Sequence, residues 1–250
     1  MRPLRTARLV GAVALAATLL PGGLRAQRSD GDGWSFSVTP WVWLMNTEGV
    51  LGVADRDLEL DLSPGEMFDL SRWSMSVHME AQRGDLFLFA DPVYQDLTLD
   101  APVSTPEGPA TGRVSLELLA VDVGAGYRVA RPVQVVAGAR FLGTSLEARI
   151  DEAPQQTYPA DSDLWNVFIG ARVLERVSER WGILLHGDVG FGQSDANYAL
   201  QGAIQFRPFE PLGLDLGYRW FHDEAEQDDA TLRTVDLDRY GVALGISFLF

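Results

Sequence analysis

Seven charged residues stand in stretches that are otherwise apolar at every second position: Glu80, Asp91, Arg140, Arg172, Asp188, Asp215 and Arg219. Four carboxylates and three guanidiniums can do three kinds of chemistry. Guanidinium forks match carboxylates two bonds at a time, so the set can neutralise itself as a structural ion-pair network. Around a water-filled passage the same charges would form a constriction that sorts solutes by sign. Two unpaired acids could serve as general acid and base. The network is the expected reading, the constriction the second and the acid pair the third.

The other reactive side chains say less. His78, His186 and His222 are the only histidines, and the chain has no cysteine, which removes thiolate metal sites and disulfides. No Gly-Xaa-Ser-Xaa-Gly, His-Glu-Xaa-Xaa-His or phosphate-binding loop occurs. The acidic run Asp223, Glu224, Glu226, Asp228, Asp229, Asp236 and Asp238 lacks the glycine and the ligand spacing of a calcium loop, and reads as a solvated loop. Neither metal, cofactor nor enzymatic activity is expected. The formal charge of −15 argues against a nucleic-acid partner, whose phosphates demand basic surface.

The elements that must position these charges are strands. Residues 73–81 place Trp73, Met75, Val77, Met79 and Ala81 on one face, and Ser74, Ser76, His78 and Glu80 on the other. The same period of two runs through 183–191, 214–220 and 240–250. One face is large and apolar; the other is small, polar or charged. A soluble sandwich would bury the apolar face, whereas a transmembrane barrel turns it to lipid. Strand lengths of roughly ten residues, charges in mid-strand and aromatics at strand ends favour the barrel. Those aromatics are Trp34, Trp41, Trp43, Trp73, Tyr127, Trp165, Trp181, Tyr198, Trp220 and Tyr240.

Turn chemistry divides the chain into ten strands: 34–44, 72–83, 86–99, 112–129, 133–149, 163–176, 181–192, 196–207, 212–222 and 239–250. The expected fold is all-β, an antiparallel up-and-down transmembrane barrel of about ten strands, with eight to twelve open. The segment 45–71 contains a further possible hairpin, which would make twelve, and a possible helical turn at 63–68. Short turns at 83–85, 130–132, 177–180 and 208–211 would face the periplasm, and the long loops outside. Arg83, Arg128, Arg131, Arg176, Arg180 and Arg207 gather at the short turns. By parity the seven charges face inward as one band in the half nearer those turns. Inward Phe87, Phe89, Phe168 and Phe221, with Gly124, Gly138, Gly170 and Gly190, predict a filled interior rather than an open channel.

Three segments organise the chain. Residues 1–26 carry a basic head (Arg2, Arg5, Arg8), the apolar run Leu9–Leu20 and a Pro21-Gly22-Gly23 break, as a secretory signal peptide does. A short segment, 27–33, precedes the barrel at 34–250.

The last strand, Tyr240-Gly241-Val242-Ala243-Leu244-Gly245-Ile246-Ser247-Phe248-Leu249-Phe250, ends in an aromatic, with Tyr240, Val242, Leu244, Ile246, Phe248 and Phe250 on its outward face. With the export signal and the alternation, this resembles the bacterial outer-membrane β-barrel proteins over residues 34–250. Pro40-Trp41-Val42-Trp43, Glu80-Ala81-Gln82-Arg83-Gly84, Asp91-Pro92-Val93-Tyr94, Gly138-Ala139-Arg140 and Gly217-Tyr218-Arg219 resemble a small, poorly characterised subgroup of them. The resemblance implies outer-membrane localisation and contact with outer-membrane lipid and lipopolysaccharide. It also implies recognition of the terminal strand by the barrel-insertion machinery. A monomer is expected, with a structural, anchoring or narrow-transport role; a small-solute porin-like channel and a lipid-modifying enzyme or hydrolase are the alternatives, since the fold hosts all of these.

Overall fold

The computed structural model describes residues 33–53, 56–105, 108–150, 157–226 and 232–250. The segment read as a signal peptide lies outside them. Eleven strands and one helix follow in order: β1 (Ser35–Val53), β2 (Arg56–Leu62), α1 (Pro64–Leu70), β3 (Ser71–Arg83), β4 (Leu86–Thr105), β5 (Gly108–Arg128), β6 (Val133–Ile150), β7 (Thr157–Arg176), β8 (Trp181–Gly192), β9 (Ala196–Phe209), β10 (Leu212–Glu226) and β11 (Leu232–Leu249). Each strand from β3 to β11 pairs antiparallel with the next. The ring closes twice on β1, through β3 and through β11. Ten strands therefore form the barrel, with β2 as an extra.

Period two becomes an inside and an outside. Val42, Leu44, Trp73, Leu88, Val123, Val135, Val167, Ile169, Leu185, Leu216, Leu244 and Ile246 stand exposed on the outer wall. An apolar belt of this kind is stable only against hydrocarbon. Among the described residues no helix is long and apolar enough to cross a membrane.

The long segments expected as loops are largely strand. β4 and β5 stay paired up to Thr105 opposite Gly108, β7 begins at Thr157, and β10 and β11 pair as far as Glu226 opposite Thr234. These hairpins continue the ladder beyond the apolar belt, where water permits polar residues on the outward face and the hydropathy pattern fades.

The 45–71 segment resolves into hairpin and helix without adding two strands to the ring. β1 runs on to Val53 and pairs back with β2 over Thr47–Val53. α1 follows, started by a capping box in which the Ser63 hydroxyl accepts from the Glu66 backbone while the Glu66 carboxylate accepts from the Ser63 backbone. β1 pairs with β3 only over Ser35–Pro40 opposite Gln82–Val77. Trp41–Asn46 thus have no strand neighbour on that edge, and α1 packs against β1 and β4 there.

The interior has two halves. Toward the long hairpins Met45, Leu51, Leu97, Val114, Leu116, Leu118, Leu146, Val235 and Leu237 form a buried cluster, completed by Leu60 of β2 and Met67 of α1. Toward the short turns the lumen holds a cavity of about 250 Å³. The expectation of a filled interior therefore applies to one half only. Three inward rings lie over the glycines directly opposite them on the neighbouring strand: a Cβ on Gly126 would lie 2.1 Å from Phe87, on Gly124 2.8 Å from Phe89, and on Gly138 2.6 Å from Phe168.

Candidate functional site: a charged cavity in the lumen

All seven charges singled out from the sequence line this one cavity: Glu80, Asp91, Arg140, Arg172, Asp188, Asp215 and Arg219. They come from β3, β4, β6, β7, β8 and β10, so only ring closure brings them together.

Arg140 is the centre of one group. It donates from Nε and Nη2 to the two carboxylate oxygens of Asp122, at 2.8 and 2.9 Å, and from Nη1 to Asn197 at 2.6 Å. Asp188 lies 3.0 Å from its Nη1 and also bonds His186 at 2.7 Å. Asn197 donates onward to Asp223, which pairs with Arg239. The Arg140 guanidinium also lies over Phe221 and Phe168, 4.5 and 5.0 Å from their centroids. Although charged, Arg140 is only 1% exposed. Such burial is tolerable because every face of the guanidinium is occupied.

Arg172 is the centre of a second group. It donates to Glu80 at 2.5 Å and to Gln134 at 2.6 Å, and stacks 3.7 Å over Phe87. His78 bridges Glu80, at 3.6 Å, and Asp91, at 3.0 Å. Asp215 accepts from the Ser247 hydroxyl, which is also bonded to Thr39. Arg219 makes no ion pair among the described residues. Its guanidinium lies 4.6 Å over Trp41 and 5.4 Å over Trp43.

Of the seven, then, Arg140–Asp188 and Arg172–Glu80 pair with each other, whereas Asp91, Asp215 and Arg219 find other partners. Asp122, Asp223, Arg239, His78, His186 and Asn197 also belong to the assembly. Asp122 shares the parity of the inward Gly124, so the alternation carried its signal. Asp223 was hidden in an acidic run that reads as solvated loop, yet it is fully buried. Trp41 and Trp43 were expected at the lipid interface; they point inward instead, because the exposed face of β1 belongs to Val42 and Leu44. Trp34, Trp73, Tyr127, Trp165, Trp181 and Trp220 are exposed. His222 stands beside them, stacked 4.8 Å on Tyr198 and bonded to Asp238 at 3.2 Å.

No protein family and no curated protein matches the chain. Solved structures do. The translocator domain of the autotransporter NalP from Neisseria meningitidis superposes with a TM-score of 0.50 at 9% identity, covering 98% of each chain. The outer membrane protease OmpT from Escherichia coli reaches 0.51 at 7% identity, covering 90% of this chain and 100% of its own. This chain has the fold of an outer-membrane β-barrel. The toluene transporter TodX from Pseudomonas putida is a looser likeness, at 0.34 and 11% identity, covering 90% of each chain. At such identities the fold is shared and the activity is not transferred.

Within this outer-membrane-type barrel the charges therefore line a lumen. The cavity reaches the short-turn rim through Ser35, Gln82, Gln205, Arg207 and Phe250, and ends toward the long hairpins beneath the apolar cluster.

Proposed function

We propose that the protein is an integral outer-membrane barrel without enzymatic activity, closed at its outer end, with a structural, anchoring or narrow-transport role. The observation that carries this reading is the apolar cluster of Met45, Leu51, Met67, Leu97 and Leu237, which fills the lumen on the long-hairpin side. A water-filled pore would need polar walls along its whole length. The buried ion-pair groups around Arg140 and Arg172 tie opposite walls together below that cluster. In this reading the signal peptide delivers the chain to the periplasm, the insertion machinery reads the strand ending at Phe250, and the short turns stay in the periplasm. The outer wall meets lipid and lipopolysaccharide as a monomer. Planar-bilayer recording on the folded protein tests it, with negligible conductance expected; a clear, ion-selective conductance would overturn it.

A porin-like channel is the second reading, favoured by the charged cavity on the short-turn side. It requires the apolar cluster to move aside. A hydrolase or lipid-modifying enzyme is the third. His78–Asp91 and His186–Asp188 are base–orienter pairs, but no serine is bonded to either histidine among the described residues. Assay of the purified barrel on lipid A and phospholipids addresses it, and no turnover is expected.

A further inference from the structure

The barrel wall parts along a seam between β1 and β3. The two strands pair from Ser35 opposite Gln82 to Pro40 opposite Val77, and not beyond. Phe36 exchanges both of its backbone bonds with Phe250, and the register of β1 on β11 is unbroken through Asn46. Alternate residues of a strand direct their backbone groups to opposite edges, so Trp41, Trp43 and Met45 direct theirs into the seam. On the other side Ser74 belongs to the inward face, opposite the buried Gln95, yet it is exposed. The seam starts in the apolar belt, where Val42 stands opposite Leu244, and rises to Asn46 opposite Tyr240. Val42 and Leu44 on one side and Trp73 on the other are exposed as its lips. At its upper end α1 sends Met67 to Met45 in the buried cluster, while Phe68 is 76% exposed.

We propose that this seam is a lipid site: one acyl chain of an outer-leaflet lipid lies between β1 and β3, with its ester or amide carbonyl taken by the backbone N–H groups of Trp43 and Met45. An open strand edge facing bare hydrocarbon is costly, because nothing there accepts from its N–H groups. A lipid meets both needs. Its carbonyls sit at the depth of the aromatic girdle, where the upper end of the seam lies, and its chain matches the apolar belt below. The lips are already part of the lipid-facing wall, so the site continues that surface inward. Water alone would satisfy the backbone but would stand in the apolar belt beside Val42 and Leu44. The site goes beyond the proposed role and is independent of whether the lumen conducts. Only the choice of leaflet rests on the orientation proposed above.

Photolabelling of the wild-type barrel makes the test, in liposomes containing phosphatidylcholine with a diazirine in its acyl chain and with adducts mapped by mass spectrometry. Outward Val42 and Val167 should be labelled in either case. Trp43 and Ser74, inward by parity, should be labelled several-fold above Gln201, which is inward on a fully paired part of the wall. Labelling of Trp43 and Ser74 no higher than that of Gln201 would overturn the proposal. Ser74→Trp fills the seam and should abolish the Trp43 adduct while leaving Val167 unchanged; an undiminished Trp43 adduct in the folded variant would overturn it too. If that variant fails to fold, as judged by heat-modifiable migration, the wild-type adducts decide. Cysteine pairs check the opening itself, since the chain has no cysteine of its own. Val38→Cys with Met79→Cys, which are strand partners, should oxidise readily to a disulfide. Val42→Cys with Met75→Cys, partners only if that register continued, should not, and equal oxidation would show that the seam is shut and overturn the site.

Discussion

Arg140 and Asp215 show why charges of the same lumen need not matter equally. Arg140 is tied to Asp122, Asp188 and Asn197 and enclosed by phenylalanine rings, so removing it leaves buried carboxylates without a counter-charge. Arg140→Ala should cost roughly 3–5 kcal/mol, read as a lower temperature of heat-modifiable unfolding, with conductance still negligible. Asp215 faces the cavity and holds only a hydroxyl, Ser247. Asp215→Asn should cost on the order of 1 kcal/mol. Equal losses would mean that the cavity is as dry as the core around Arg140. At this scale the sequence was legible wherever parity was unbroken, as at Glu80, Arg140 and Arg172. Asp223 was not legible: it looks like its neighbours Glu224 and Glu226, and only its pairing with Arg239 sets it apart.

Among the elements, α1 and β2 decide whether the lumen is closed. Each contributes one fully engaged apolar side chain, Met67 and Leu60, to the cluster that seals the long-hairpin half. They also occupy the edge of β1 that β3 leaves unpaired above Pro40. Met67→Asp should loosen this seal, because a carboxylate cannot stay among Met45, Leu51 and Leu97 without a partner. Channel openings in planar bilayers should appear in this variant and not in wild type; an equally silent variant would show that α1 does not close the lumen. A second element-level test concerns the close approach of β5, β6 and β7. A Cβ on Gly138 would lie 2.2 Å from the Val123 carbonyl oxygen as well as against Phe168. Gly138→Val should therefore lower the yield of folded barrel, whereas Gly182→Ala, where the nearest atom is 3.4 Å away, should not.

For the whole molecule, everything depends on joining the last strand to the first. β11 pairs with β1 from Leu249 opposite Ser37 to Leu232 opposite Val53. Phe250 adds two backbone bonds with Phe36, at 2.8 and 3.0 Å. Deleting Phe250 removes that pair and the terminal aromatic together, and should lower the fraction found in outer membranes. Leu244 is 46% exposed on the outer wall, opposite Val42. A charge at the bilayer midplane costs about 2–4 kcal/mol for Arg or Lys and somewhat less for Asp. Leu244→Asp should reduce assembly, measured by fractionation and heat-modifiable migration, and wild-type levels would contradict a lipid-facing position.

The sequence by itself determined which residues face inward and which outward, because a strand leaves only two choices and one face had to be apolar. Strand type and the inward set Glu80 to Arg219 follow from that period, whereas ten ring strands rather than twelve follow from β2 pairing back on β1 outside the ring. It could not determine how far β4, β5, β10 and β11 extend, since outside the apolar belt both faces can be polar. Nor could it determine partners. Whether Arg172 meets Glu80 or Asp91 depends on how strands distant in the chain are staggered once the ring closes, and a one-residue change in register would reverse the faces without changing the pattern. The division of the lumen into a sealed half and a hollow half belongs to tertiary structure for the same reason: Met67 enters the core from a helix whose seven residues carry no period-two signal, and its place is set by the gap that β1 and β3 leave between them.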